Sequence, residues 1–232
     1  MKRFYTDVAV EEVEGGFRVT LDSRPVKTQG GRPQIVPTRA LAELLADEWA
    51  AQEEEIDPAT FVFRDFADYA IDQVRQDRAD AVRALLAYAE TDTLCYRADP
   101  DDPLYGRQQE LWEPLLAAAE ERHGVRFERA SGILHRAQPP ETLAALRGAL
   151  EGEDEFTLAA LRSLASLAAS LTVGLAALDP GADVPALFAA ANAEEDWQAE
   201  QWGWEWTAEE RRARRLADFE KATAFARAAR IQ

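Results

Sequence analysis

Apolar and polar positions alternate along the first 37 residues. Val8, Val10 and Val13 form one run and Phe17, Val19 and Leu21 a second, the period-two pattern of half-buried strands. Gly15-Gly16 separates the runs and suits a hairpin. Asp22-Ser23-Arg24-Pro25 predicts a second turn before Val26-Lys27-Thr28, and Gly30-Gly31 a third before Ile35-Val36. An antiparallel unit this small cannot bury a large core alone, so it must pack on the rest of the chain.

From Thr38 the period becomes helical. Thr38 can cap a helix bearing Leu41, Leu44, Leu45, Trp49 and Ile56, which Pro58 ends or redirects. Phe66, Ala70, Ile71 and Val74 mark a second helix, and Val82, Leu85, Leu86 and Ala89 a third. Leu104 to His123 reads as a fourth, kinked at Pro114 and closed by Gly124. Residues 125–140 read as a return to extended chain. Glu141 to Leu150 predicts another helix, and Phe156 to Leu178 a long one whose leucines recur every three or four residues as a core stripe. Asp179-Pro180-Gly181 stops it. Pro185 to Trp202 comes next as one helix, and Thr207-Ala208-Glu209-Glu210 reads as the capping box of the last. The fold class expected is α+β: a β-rich N-terminal domain with the first helix over residues 1–60, then an α-helical domain over 61–232.

Composition narrows the function. With 26 Lys and Arg against 43 Asp and Glu, the net charge is -17, and so acidic a surface repels nucleic acid and anionic lipid. The local cluster Arg211, Arg212, Arg214 and Arg215 is expected to pair with neighbouring Glu209 and Glu210. The longest uncharged run, Ser163 to Leu178, has 16 residues, short of a membrane span and studded with Ser and Thr.

Catalytic motifs are missing. The sequence has no phosphate-binding lysine loop, no dinucleotide fingerprint and no nucleophile elbow. His123 and His135, the two histidines, lack ligand spacing, and Cys95 stands alone as a buried thiol, so neither a metal site nor a cofactor is expected. Glu194, Glu195 and Asp196 form an acidic run. It reads as a solvated face, with an all-oxygen calcium or magnesium site left open. Trp197, Trp202, Trp204 and Trp206 crowd beside it, either packing the last helices together or forming a binding hot spot.

Six segments, in order from residue 2 to about 203, carry a resemblance. They are KRFY with FRVTLDSRPVKT, LAELLADEWAAQEEEIDP around Trp49, YAIDQV with Asp72, YAETDTLCYRA with Asp92, Tyr96 and Arg97, RQQELWEPLL with Trp112, and AEEDWQAEQWG. Together they resemble the assembly chaperones for the alpha subunit of the ATP synthase catalytic head. Thr60-Phe61-Val62-Phe63 stands where that family usually has a Met-Pro pair, Ala193 replaces a usual leucine, and the match weakens after Gly203.

The resemblance implies a non-enzymatic factor that binds the unassembled alpha subunit until the beta subunit replaces it. It implies partner-binding roles for Glu194 first, then Glu195, Asp196, Gln198, Trp202 and Gly203, with Trp49, Asp72, Asp92, Tyr96, Arg97 and Trp112 as structural motif residues. A monomer is expected. The start of the chain lacks the apolar core of a secretory signal, so bacterial cytoplasm is the expected location, with the mitochondrial matrix as the alternative. An interaction module for another client is the alternative function.

Overall fold

A computed structural model of the chain describes residues 1–132, 136–203 and 205–230. β1 (Val8–Val13) and β2 (Gly16–Leu21) pair as an antiparallel hairpin, with Val8 opposite Leu21 and Val13 opposite Gly16. Asp22 and Ser23 take left-handed φ values of 47° and 65°, which turns the chain tightly into β3 (Arg24–Pro25). The order of this sheet is β1-β2-β3. Val36 lies against the same hairpin, exchanging backbone hydrogen bonds of 2.8 and 2.9 Å with Phe17. The hairpin therefore requires glycine at position 16: φ is 142°, and a Cβ would stand 2.2 Å from the Val36 carbonyl oxygen.

The chain groups into two compact units. The first comprises Met1–Asp80, Asp154–Ala160 and Ala224–Gln232, and the second Ala81–Glu153 and Leu161–Thr223. The sequence-based expectation divides the chain once, at residue 60, whereas these units draw on three and two segments.

In the first unit, α1 (Arg39–Ala50) buries Leu41, Ala42, Leu45 and Trp49. Thr38 caps it, accepting from the Leu41 amide at 3.1 Å and donating its hydroxyl to the Ala228 carbonyl. The expected helix is shorter than its pattern. It ends at Ala50, and Ile56 lies beyond, its amide bonded to the Met1 carbonyl at 2.8 Å. Glu48 accepts from the Phe63 and Arg64 amides at 2.7 and 2.8 Å, capping α2 (Val62–Tyr69) from another helix. A π turn, Ala70–Val74, continues α2. The wholly buried Phe225 gathers Phe63, Phe66 and Phe156 around it at centroid distances of 5.2 to 6.5 Å.

The second unit holds most of α3 (Arg78–Glu90), then α4 (Pro103–His123) and α5 (Pro140–Glu151). Pro114 is accommodated inside α4 rather than ending it, and Gly124, at φ 64°, closes that helix. Among the described residues of 125–140 the strand is β5 (Ala130–Ser131), parallel to β4 (Tyr96–Arg97). His135 lies outside the described residues.

Three further expectations need correction. The long helix over Phe156 to Leu178 is two, α6 (Glu155–Ala168) and α7 (Leu171–Ala177), broken at Ala169 with φ 47°. Ser170 caps α7 at the break, accepting from Val173 at 3.0 Å. Pro185 to Trp202 likewise divides into α8 (Val184–Ala191) and α9 (Ala193–Trp202) at Asn192, whose side-chain amide donates back to the Phe188 carbonyl at 2.8 Å. The last helix, α10 (Trp206–Ala229), starts before the expected capping box: the Glu205 carbonyl receives the Ala208 and Glu209 amides, and the Thr207 hydroxyl donates to the Glu205 carboxylate. Among the described residues no helix is long and apolar enough to cross a membrane.

Candidate functional site

Asn192 turns the chain out of α8, and α9 opens with Glu194, Glu195 and Asp196 in its first turn. Negative charge is favoured there, where unpaired backbone N–H groups and the helix dipole make the end positive. The three carboxylates nevertheless have different partners. Asp196 takes two hydrogen bonds from Arg212, at 3.1 and 2.8 Å. Glu195 receives Arg215 at 3.3 Å, and that arginine also donates to the Leu167 carbonyl at 2.8 Å. Further along α9, Glu200 is held by both terminal nitrogens of Arg107, at 3.0 and 2.8 Å.

Glu194 differs. It is exposed, and its partner is the neutral amide of Gln108 at 2.7 Å; among the described residues no cation pairs with it. Gln108 is fully buried and is itself fixed, its carbonyl oxygen accepting from the Ala98 amide at 2.8 Å. One indole beneath this region is equally fixed: Trp112 is wholly buried and donates to the Ala190 carbonyl at 2.7 Å. The site is thus a rigidly seated carboxylate, uncompensated by a positive charge, on a helix tied down by arginines.

The basic cluster of α10 explains the tying. Arg214 reaches its own-helix neighbour Glu210 at 3.7 Å, as expected for that pair. Arg212 and Arg215 instead cross to α9, and their guanidinium groups lie 4.4 and 5.6 Å from the Phe188 ring centroid. Their spacing of three residues, facing adjacent acids, is the signal in the sequence for such a helix pair. Gln198, Trp202 and Gly203 are exposed, Trp202 by 81%. Trp206, at the start of α10, is 71% exposed, and nothing in the sequence singles it out from its neighbours. Trp204 lies outside the described residues.

Cys95 is buried, and burial together with Asp92 pushes its thiol up to about 12, so it is not a nucleophile at neutral pH. Among the described residues no group of three or more His, Cys, Asp or Glu is placed to hold a metal ion. A seated acid and an exposed indole on one helix are suited to recognition.

The profile of the ATP12 chaperone protein family matches residues 2–120. The chain belongs to the ATP12 chaperone family. The crystal structure of Atp12 from Paracoccus denitrificans is 36% identical, with a TM-score of 0.93 over 99% of this chain and 98% of that one. A point mutant of the same Atp12p gives the same values. A proposed chaperone from Agrobacterium tumefaciens is 38% identical, with a TM-score of 0.94 over 99% of this chain and 86% of that one.

The motif residues that carry the family resemblance lie in both units. In the first, Trp49 is buried between Tyr5 and Phe61, at 5.6 and 4.5 Å. Asp72 accepts from the Thr28 hydroxyl, the Gly30 amide and the Arg32 guanidinium at 2.8 to 2.9 Å, fixing the glycine turn. In the second, Asp92 is fully buried and accepts from the Leu94 and Thr172 amides at 3.1 and 2.9 Å. The Tyr96 hydroxyl donates to the Arg136 carbonyl at 3.3 Å. Arg97 is buried and donates to Gln109 and, at 2.6 Å, to Glu113, which Arg129 shares at 2.7 Å. Trp112, one turn after Gln108 on α4, ties that helix to α8 through the Ala190 carbonyl, while Gln108 ties it to α9 through Glu194.

Proposed function

We propose that this ATP synthase assembly chaperone binds the unassembled alpha subunit of the catalytic head and shields it from aggregation until the beta subunit takes its place. Such a subunit exposes a large interface that is an aggregation hazard while it waits. The observation that supports the reading is Glu194: an exposed carboxylate with no cationic partner among the described residues, seated on buried Gln108. It offers a charge-assisted bond to a basic or amide donor of the client, while the exposed Trp202 offers apolar area worth about 25 cal/mol for each Å² buried. Gln198 and Gly203 present polar side chain and bare backbone on the same stretch of chain. In this reading Glu195 and Asp196 contribute by holding α9 in place and by adding to the acidic field that steers a basic client. Binding, not turnover, is the work of the site. The protein acts as a monomer in the bacterial cytoplasm, one client site to each chain.

The test is suppression of alpha-subunit aggregation, followed by light scattering with purified Glu194→Lys. The variant keeps its circular dichroism spectrum and loses protection. Full protection by the variant overturns the site, and a pull-down that recovers another protein in place of the alpha subunit overturns the client.

A further inference from the structure

The second unit carries a groove that the α9 site does not use. α4 supplies Glu110, Leu111, Pro114, Leu115 and Ala118 to one wall, and α8 with the turn before it supplies Asp183, Ala186, Leu187 and Ala190 to the other. The groove is open to solvent and its volume is about 500 Å³, within the range of ligand clefts. Three features give it a chemistry. Its walls are apolar, and the lining residues from α8 are mostly alanine, which leaves room between the helices. Pro114 has no N–H, so the Glu110 carbonyl one turn earlier does not receive the helix bond that residue 114 would ordinarily supply. The rim carries three acids: Asp179 is paired with Arg122 at 2.6 Å, whereas Glu110 and Asp183 are exposed and among the described residues neither is paired with a cation.

We infer that this groove is a second docking site for the client, taking an apolar segment that carries a basic residue. The inference rests on the reading of the protein as an alpha-subunit chaperone. The occupant is argued from complementarity. Apolar side chains fill the space between α4 and α8, and an arginine or lysine at the edge of the segment meets Glu110 and Asp183, with the freed carbonyl as a further acceptor. An acidic segment would meet like charge at the same rim. Gln108, which seats Glu194, and Leu111, which lines the groove, are one turn apart on α4, so both sites are built on the same helix. Two modest contacts on one client raise its residence time while each remains easily released.

The experiment compares wild type, Ala186→Trp, Glu110→Lys and Glu194→Lys, as full chains, against purified alpha subunit. Ala186 and Glu110 are exposed, so both variants fold. Ala186→Trp fills the groove and weakens client binding at least tenfold, with an unchanged circular dichroism spectrum. Glu110→Lys weakens it several-fold, and the loss relative to wild type shrinks as salt is raised. Wild-type affinity in Ala186→Trp, together with lost affinity in Glu194→Lys, overturns the groove and leaves the function standing. A wild-type protein that does not bind the alpha subunit overturns the function and the groove with it.

Discussion

The buried amide of Gln108 donates to the exposed carboxylate of Glu194 at 2.7 Å, so a residue from the interior of one helix positions the charge displayed by another. Asp196, two residues along, has the opposite arrangement, a half-buried acid gripped twice by Arg212. Stability and binding should therefore separate between them. Glu194→Gln retains an acceptor for Gln108, so urea unfolding shifts by no more than about 0.5 kcal/mol, while client binding falls because the charge is gone. Asp196→Asn weakens a charge-assisted pair and costs about 1–3 kcal/mol of stability. Equal losses in both variants would refute this division.

Asp92 predicts a different behaviour. It is wholly buried, and it joins the turn before β4 to the start of α7 through the Leu94 and Thr172 amides. Asparagine has one acceptor oxygen instead of two and presents an NH₂ group to a backbone donor, so Asp92→Asn should cost about 1–3 kcal/mol in denaturant unfolding. Burial raises the Asp92 carboxyl above its ordinary value, and the hydrogen bonds from Thr172, Ser170 and Leu94 counter it only in part. A raised acid binds its proton more tightly when folded. Its contribution is then complete below the unfolded pKa of about 3.9 and declines as pH rises to the folded value. The gap between wild type and Asp92→Asn should narrow upward through that window; a gap that widens contradicts the assignment.

The same junction shows why one part of the fold is not legible in the sequence. The leucine stripe over Phe156 to Leu178 is continuous and alanine is the best helix former, so the local mark of a break at Ala169 is the cap residue Ser170, which the sequence does not distinguish from Ser163 and Ser166 in the same run. The break is fixed by distant groups. The Ala169 carbonyl takes both the amide and the hydroxyl of Thr93, at 3.1 and 2.9 Å, and Asp92 takes the Thr172 amide. Such partners lie about 80 residues away, beyond the reach of periodicity. The hairpin is legible because its constraint is local, glycine at 15 and 16 between alternating strands. The acidic run of α9 is legible as a cluster, yet only geometry separates Glu194, bonded to an amide, from Glu195 and Asp196, bonded to arginines. Trp206 is one of four crowded indoles in the sequence and is marked out by its exposure alone.

Cys95 gives an inexpensive check on burial. Its side chain is 1% exposed and its thiol is pushed up to about 12, so almost no thiolate is present at pH 8 and little can reach it. A chromogenic disulfide reagent should react with the native protein only at the rate of unfolding, and at once in strong denaturant. Rapid modification of the folded chain would place this thiol at the surface.

Asp72 titrates in the opposite direction from Asp92. Burial pushes its carboxyl up, but hydrogen bonds from Arg32, Gly30 and Thr28 outweigh that and hold it below the ordinary range. An acid lowered by folding releases its proton more readily in the native state. Its stabilisation is present above the unfolded pKa of about 3.9 and is lost as pH falls through the lower folded value. Asp72→Asn should therefore reduce stability near neutrality by about 1–3 kcal/mol and flatten the fall in stability below pH ~4. Gly30→Ala reaches the same bonds by another route, since a Cβ there would stand 2.6 Å from the nearer Asp72 oxygen, held in place by its three donors. Urea unfolding of both single variants and the double variant decides whether they share one cause. Losses well below additive tie both to the glycine turn, whereas fully additive losses mean that Asp72 stabilises something other than the turn Gly30 occupies.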